Sequence, residues 1–109
     1  MIDWSRVGEL RSEVGEEAFD EVLELFLEEV DEVMARLSAS PDPARLAADL
    51  HFVRGSALNL GLEQFCAICQ DLEHRIAEGN AVELDALIRC YDDSKEILLR
   101  RAAEGHHAA

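Results

Sequence analysis

The sequence predicts an all-α domain, an antiparallel four-helix bundle with a short extra helix at its N-terminus. The composition favours helix, because Leu, Ala and Glu are abundant and only two prolines and six glycines occur in 109 residues. Four long segments repeat apolar residues every three or four positions, as amphipathic helices do. The short breaks between them favour antiparallel packing of successive helices. A chain of this length fits one domain, to which we assign residues 1–109.

The first two helices are predicted from a capping residue and an apolar stripe. Asp3 is placed to cap a first helix of about two turns that ends near Gly15. The second helix is predicted over residues 16–37. Its apolar residues lie on one face: Phe19, Val22, Leu23, Phe26, Leu27, Val30, Val33, Met34 and Leu37. Its other face is acidic and is expected to be solvated: Glu17, Asp20, Glu21, Glu24, Glu28, Asp31 and Glu32.

A break at residues 38–43 separates the second helix from the third. Within it, Asp42 followed by Pro43 predicts a helix start, since a capping residue often precedes a proline at the first helical position. Gly61 is predicted to end or bend this third helix. Its buried stripe comprises Leu46, Leu50, Val53, Ala57 and Leu60.

Two further helices complete the predicted bundle. The fourth is expected over residues 62–77 and closes at Gly79-Asn80, and the fifth over residues 82–103, with a short tail from about residue 104. Inward residues of the fourth helix are Phe65, Cys69, Leu72 and Ile76. Those of the fifth are Leu84, Leu87, Ile88, Tyr91, Ile97 and Leu98.

The chain is strongly acidic, with 24 acidic residues, 10 basic residues and a formal net charge of −14. Nucleic acid or anionic lipid would require clustered cations, whereas the arginines are scattered. No apolar run approaches the length of a membrane span, and the start MIDWSRVGEL lacks the features of a signal peptide. Three cysteines in that context favour reduced thiols. We therefore expect a cytoplasmic monomer with no nucleic-acid or membrane partner.

The segment 50–61, LHFVRGSALNLG, carries the clearest chemical signal. On a helix, His51 shares a face with three later residues: Arg54, Gly55 and Leu58. A glycine in mid-helix costs about 1 kcal/mol relative to alanine, and its lack of a Cβ would let another molecule approach the imidazole. A neighbouring guanidinium suits a histidine that acquires negative charge. From spacing alone, a boundary histidine beside a helix-packing glycine remains the other interpretation.

This segment resembles the signature of the histidine-phosphotransfer (HPt) family, which has His, two residues, Lys or Arg, Gly, small residues and a Leu-Gly pair. The corresponding residues are His51, Arg54, Gly55, Ser56, Ala57, Leu60 and Gly61. The similarity continues in the next predicted helix through Leu62-Glu63, Cys69 and Leu72-Glu73. Chain length, helix order and the position of the histidine also agree, so the resemblance covers nearly the whole chain.

The resemblance implies a role for each matching residue. His51 would be the phosphoacceptor, through Nε2, and Arg54 would replace the usual lysine in pairing with phosphoryl oxygens. Glu73 stands where several members have a glutamine, and its carboxylate would hold Nδ1–H and leave Nε2 as the nucleophile. Gly55 would let the partner approach, and Leu58 would belong to the apolar docking surface. Glu73 as an ordinary surface glutamate stays open.

The implied activity is the exchange of a phosphoryl group between His51 and aspartates of response-regulator receiver domains, fed by a hybrid sensor kinase. The receiver would supply Mg²⁺, and we expect no cofactor in this chain. The sequence has no P-loop or glycine-rich nucleotide loop, so we expect neither ATP binding nor autokinase activity. The chain would be a carrier, and an enzyme only in the loose sense of a phosphotransferase.

Three alternatives remain open at the level of sequence. A degenerate HPt fold could act as a non-catalytic adaptor for receiver or kinase domains. The phosphoacceptor domain of a sensor kinase is also helical, but it usually has an acidic residue after the histidine, where this chain has Phe52. A metal site could draw on Cys66, Cys69, His74 and Cys90, although reduced cysteines on an apolar helix face usually pack as small hydrophobes.

Overall fold

Five helices make up the chain in a computed structural model, which describes residues 2–107 and the side chains of residues 2–102. They are α1 (Trp4–Val14), α2 (Glu16–Ala39), α3 (Leu46–Asn59), α4 (Glu63–Ala77) and α5 (Asp85–His107). No strand occurs in residues 2–107, and no helix in that range is long and apolar enough to cross a membrane. The predicted all-α class is therefore confirmed.

The four long helices form a closed ring of neighbours. Helix α2 packs against α3 and α5, and α4 packs against the same two helices. Short connections make successive helices antiparallel, so the predicted four-helix bundle is confirmed. The short helix α1 packs against α2 and α3. Side chains that point into the bundle include Phe19, Leu23, Leu27, Val30, Leu50, Val53, Ala57, Phe65, Cys69, Leu87, Tyr91 and Leu98.

The third helix begins later than its sequence predicts. The Asp42 carboxylate accepts the N–H of Ala44 (3.0 Å) and the Asp42 carbonyl accepts that of Arg45 (2.9 Å), so Asp42 and Pro43 form a separate turn. Helix α3 starts only at Leu46, the first residue of its apolar stripe. Asp42 thus makes the kind of capping hydrogen bond that the sequence predicts, but it does so in a turn that precedes the helix.

Helices α1 and α5 also differ in length or position from prediction. Asp3 caps α1 as predicted, because its carboxylate accepts the N–H groups of Ser5 and Arg6, but α1 has 11 residues instead of about two turns. Helix α5 begins at Asp85 and reaches His107, beyond the predicted end at 103, since residues 102–104 favour helix and no proline follows. Residues 108–109 of the predicted tail lie outside the described part.

The turn between α3 and α4 is held from two sides. Gly61 has a φ of +74°, and the N–H groups of Gly61 and Leu62 donate to the carbonyls of Leu58 and Ala57, which satisfies the last carbonyls of α3. The N–H of Asp3 donates to the Gly61 carbonyl over 2.7 Å. The chain start therefore fixes the point at which α3 ends and α4 begins.

One acidic residue on the predicted solvated face of α2 is only partly exposed and contacts another helix. The carboxylate of Asp31 is half-buried and accepts the Tyr91 hydroxyl (2.5 Å), while its other oxygen pairs with Lys95 Nζ (2.6 Å). These contacts join α2 to α5. Burial, reinforced by the bond to Asp31, raises the pKa of the Tyr91 phenol.

Tyr91→Phe should change how stability depends on alkaline pH. With the folded pKa raised above the ordinary 10.0, the unfolded chain loses the phenolic proton first, so the wild-type free energy of unfolding falls as pH rises above 10. The variant should lose about 1 kcal/mol at neutral pH, with the hydrogen bond, yet show a shallower fall above pH 10. Urea unfolding at several pH values measures both the loss at neutral pH and the alkaline slope. If the free energy of unfolding of the variant and the wild type fell equally steeply above pH 10, the raised pKa of Tyr91 would be contradicted.

Candidate functional site

Helix α3 places one apolar stripe in the core and a different set of side chains in solvent. Leu50, Val53 and Ala57 are completely buried. The side chain of His51 is 73% exposed, and Leu58 is 64% exposed on the same face. The prediction that this histidine faces outward from the edge of the core is therefore confirmed.

Gly55, one turn after His51, has no packing role inside the chain. A Cβ at this position would meet no atom of a neighbouring helix within 4 Å in the described structure. Helix packing therefore does not explain why this position lacks a side chain, although glycine weakens a helix. The open backbone next to the imidazole is space that only another molecule would use.

Three of the predicted site residues are in direct contact. Glu73, from α4, lies with Oε1 3.2 Å from His51 Nδ1 and with Oε2 2.5 Å from Arg54 Nε. A guanidinium nitrogen of Arg54, Nη2, lies 3.0 Å from the same Nδ1. Both members of the ion pair are partly buried, with 31% of the Arg54 side chain and 21% of the Glu73 side chain exposed. The ion pair between α3 and α4 therefore orients the ring.

The two ring nitrogens have different surroundings. Both charged neighbours lie at Nδ1, whereas Nε2 makes no hydrogen bond to any residue in the range the structure describes. Nε2 is thus the nitrogen that an incoming group can reach. Arg54 makes its hydrogen-bond contact at Nδ1 and none at Nε2, and the pairing with phosphoryl oxygens that the resemblance implies stays a prediction.

The cysteines pack as apolar side chains. Cys69 is completely buried, and burial raises the pKa of its thiol to about 12. Burial likewise raises the pKa values of Cys66 and Cys90, and Cys66 Sγ lies 3.5 Å from the Arg54 carbonyl oxygen. His74 contacts Glu78 instead of a thiol (3.6 Å). Within the described residues, no three His, Cys, Asp or Glu side chains group as metal ligands.

Phe52 is a surface residue of this region that sequence reasoning did not assign to the site. It is 43% exposed, next to His51 in the chain. The sequence could have identified it, because Phe52 lies outside the buried stripe formed by positions 50, 53 and 57. A large aromatic side chain on the solvent-facing side of a helix is unusual and indicates a contact surface. The sequence did not indicate which ring nitrogen Arg54 contacts, since residue spacing does not tell on which side of an imidazole a long side chain lies.

The fold and the site define a helical-bundle domain that displays one histidine on its second long helix, with an ion pair at Nδ1 and an accessible Nε2. A family model for the Hpt domain matches residues 21–102, most of the chain, and the protein belongs to the Hpt domain family. Hpt domains carry out phosphotransfer in two-component phosphorelays and interact with receiver domains and kinases. No curated protein and no solved structure matches the chain.

Gly55 and Gly61, the two glycines of the signature, should respond oppositely to replacement by alanine. Gly55→Ala should stabilise the fold by about 1 kcal/mol, because α3 gains a better helix former and nothing is displaced. Gly61→Ala should destabilise it by about 2 kcal/mol, because φ is +74° and the new Cβ would lie 2.6 Å from the Asp3 carbonyl oxygen. Denaturant unfolding measures both; destabilisation by Gly55→Ala would reveal an internal role for that glycine.

Proposed function

We propose that this protein relays a phosphoryl group through Nε2 of His51, from an aspartyl phosphate on one receiver domain to an aspartate on another. Membership of the Hpt domain family supports the reaction class. The observation that supports His51 as the acceptor is its ring, which is exposed, has a free Nε2 and is fixed through Nδ1.

The transfer step needs a neutral imidazole with its proton on Nδ1. The Nε2 lone pair attacks phosphorus in line, a P–N bond forms, the P–O bond to the receiver aspartate breaks, and its electron pair leaves on that carboxylate. The ring becomes an imidazolium that keeps its Nδ1 proton. Glu73 Oε1 lies within reach of Nδ1–H and would stabilise this positive charge, while the exposed ring leaves room for an in-line approach.

The remaining chemistry would come from the partner. The receiver would provide Mg²⁺ and its acidic pocket, and this chain would need no cofactor of its own. The Arg54 guanidinium is in contact with the imidazole and, once free of Nδ1, would pair with phosphoryl oxygens. The reaction would thus rest on positioning and charge, with a nucleophile but no nucleotide site in this chain.

The docking surface would surround the histidine. Gly55 leaves the α3 backbone open, and Leu58 and Phe52 expose apolar area beside it, at 64% and 43%. A small apolar patch of this kind suits transient association with more than one receiver. The donor would be the receiver domain of a hybrid sensor kinase and the final acceptor a response regulator. We further propose that the protein works as a cytoplasmic monomer.

Replacing His51 with Gln tests the assignment of the phosphoacceptor. Phosphorylated receiver domains carrying a labelled phosphoryl group would be mixed with the native chain and with His51→Gln. We expect the native chain to gain a label that is stable in base and labile in acid, as a phosphoramidate is, and the variant to gain none. His74→Gln is the matched control, because its ring is also exposed but lies on α4 beside Glu78.

Two results would count against the proposal. A label on His51→Gln would move the phosphoacceptor elsewhere. Binding of receivers to a folded native chain without transfer, across a broad panel, would favour the adaptor. Circular dichroism of both variants verifies that the bundle is intact.

Leu58→Ser should weaken docking without altering the chemistry. Loss of an exposed leucine from a contact surface removes about 1 kcal/mol of apolar burial, so the receiver concentration that gives half-maximal transfer should rise about fivefold. The maximal rate should stay unchanged. Leu99→Ser is the control, since Leu99 is 40% exposed on α5, which does not pack against α3. Equal effects of the two variants would remove Leu58 from the docking surface.

A further inference from the structure

The contacts at His51 Nδ1 cannot all be hydrogen bonds at the same time. Glu73 Oε1, 3.2 Å away, can only accept a proton from Nδ1, whereas Arg54 Nη2, 3.0 Å away, can only donate one to it. A neutral imidazole carries a proton on one nitrogen and a lone pair on the other. The two neighbours therefore favour opposite tautomers of the ring.

The position of the guanidinium decides between them in the resting chain. Arg54 Nη2 lies 3.0 Å from Nδ1, at an ordinary hydrogen-bond distance, whereas Glu73 Oε1 lies 3.2 Å away, at the long end of that range. Both groups are charged, so charge assistance is available to either bond, and the shorter contact favours the guanidinium. Arg54 Nε, bound to Glu73 Oε2 at 2.5 Å, holds the guanidinium in place and offsets the charge of the carboxylate. With an N–H of Arg54 directed at Nδ1, that atom must present its lone pair.

We propose that Arg54 is a positioning residue that holds resting His51 in the tautomer with its proton on Nε2, and that the ring becomes a nucleophile only when the guanidinium leaves Nδ1. This inference rests on the proposed function, because it concerns the nitrogen that would attack phosphorus. It adds a resting state in which the reactive nitrogen is protonated although it is exposed.

Movement of Arg54 away from Nδ1 would both stabilise the incoming phosphoryl group and free Nε2 to act as the nucleophile. When a receiver presents its phosphoryl group at Nε2, the anion offers the guanidinium a new partner in place of Glu73. Once Arg54 has moved, water relays the proton from Nε2 to Nδ1, which then donates to Glu73 Oε1. Nε2 now carries the lone pair that forms the P–N bond, and the aspartate leaves with the electrons of the broken P–O bond. Arg54 thus couples activation of His51 to the arrival of the phosphoryl group.

Nitrogen-15 NMR of the histidine-labelled full chain tests the resting tautomer without any receiver. At a pH where His51 is neutral, we expect its proton on Nε2 in the wild type and on Nδ1 in Arg54→Met, which keeps an unbranched side chain but has no donor. Arg75→Met is the matched control: it removes an arginine from α4 that pairs with Asp71, and the ring should keep the wild-type tautomer.

A neutral electrophile gives a second measurement that is independent of phosphoryl charge. Diethyl pyrocarbonate reacts with an unprotonated ring nitrogen, so modification of the peptide containing His51, followed by mass spectrometry, should be about tenfold faster in Arg54→Met than in the wild type; tenfold corresponds to 1.4 kcal/mol. Arg75→Met should react at the wild-type rate.

A wild-type proton on Nδ1, or an unchanged tautomer in Arg54→Met, would overturn the inference, as would equal modification rates. Neither experiment contains a phosphodonor, so these outcomes differ from failure of the proposed function, which would appear as no transfer to a chain whose tautomer does switch. Unfolding curves of the variants show whether the bundle is retained.

Discussion

The packing of α3 against α4 is the constraint on which the site depends. Helix α3 carries His51 and Arg54, and α4 carries Glu73, so the charged contacts exist only while these two helices keep their register. The buried stripe of α3 and the buried side chains Phe65 and Cys69 of α4 fix that register by close packing. The exposed ring is thus positioned by residues that never touch solvent.

The connection between these helices adds a second constraint. The turn at Gly61 ends α3 with satisfied carbonyls, and the backbone N–H of Asp3 binds its carbonyl oxygen. Arg6 of α1 also donates to the Asn59 carbonyl at the end of α3 (3.3 Å). Helix α1 lies outside residues 21–102, which the family model matches, yet it contacts the helix that carries the histidine. The end of α3 therefore owes part of its order to a segment outside the matched region.

Periodicity in the sequence predicted most of the fold and the outward direction of His51, because a helix repeats every 3.6 residues and buried positions must be apolar. The misjudged features depend on tertiary contacts. Asp31 matches its solvated neighbours on α2, and only the approach of Tyr91 and Lys95 from α5 makes it a half-buried partner in a contact between helices. The later start of α3 has a similar cause, since local signals at Asp42 and Pro43 satisfy a turn as well as a helix.

The site pairs its charges both at rest and after transfer, if Arg54 moves as proposed. At rest, the guanidinium offsets the charge of the Glu73 carboxylate. After the proposed transfer, the ring would be cationic and the phosphoryl group anionic, so Glu73 could pair with Nδ1–H while Arg54 paired with phosphoryl oxygens. In a chain with a formal charge of −14, a second nearby anion without this exchange would be repelled. Under this proposal, one arginine that alternates between two anions would meet the electrostatic requirement of both states.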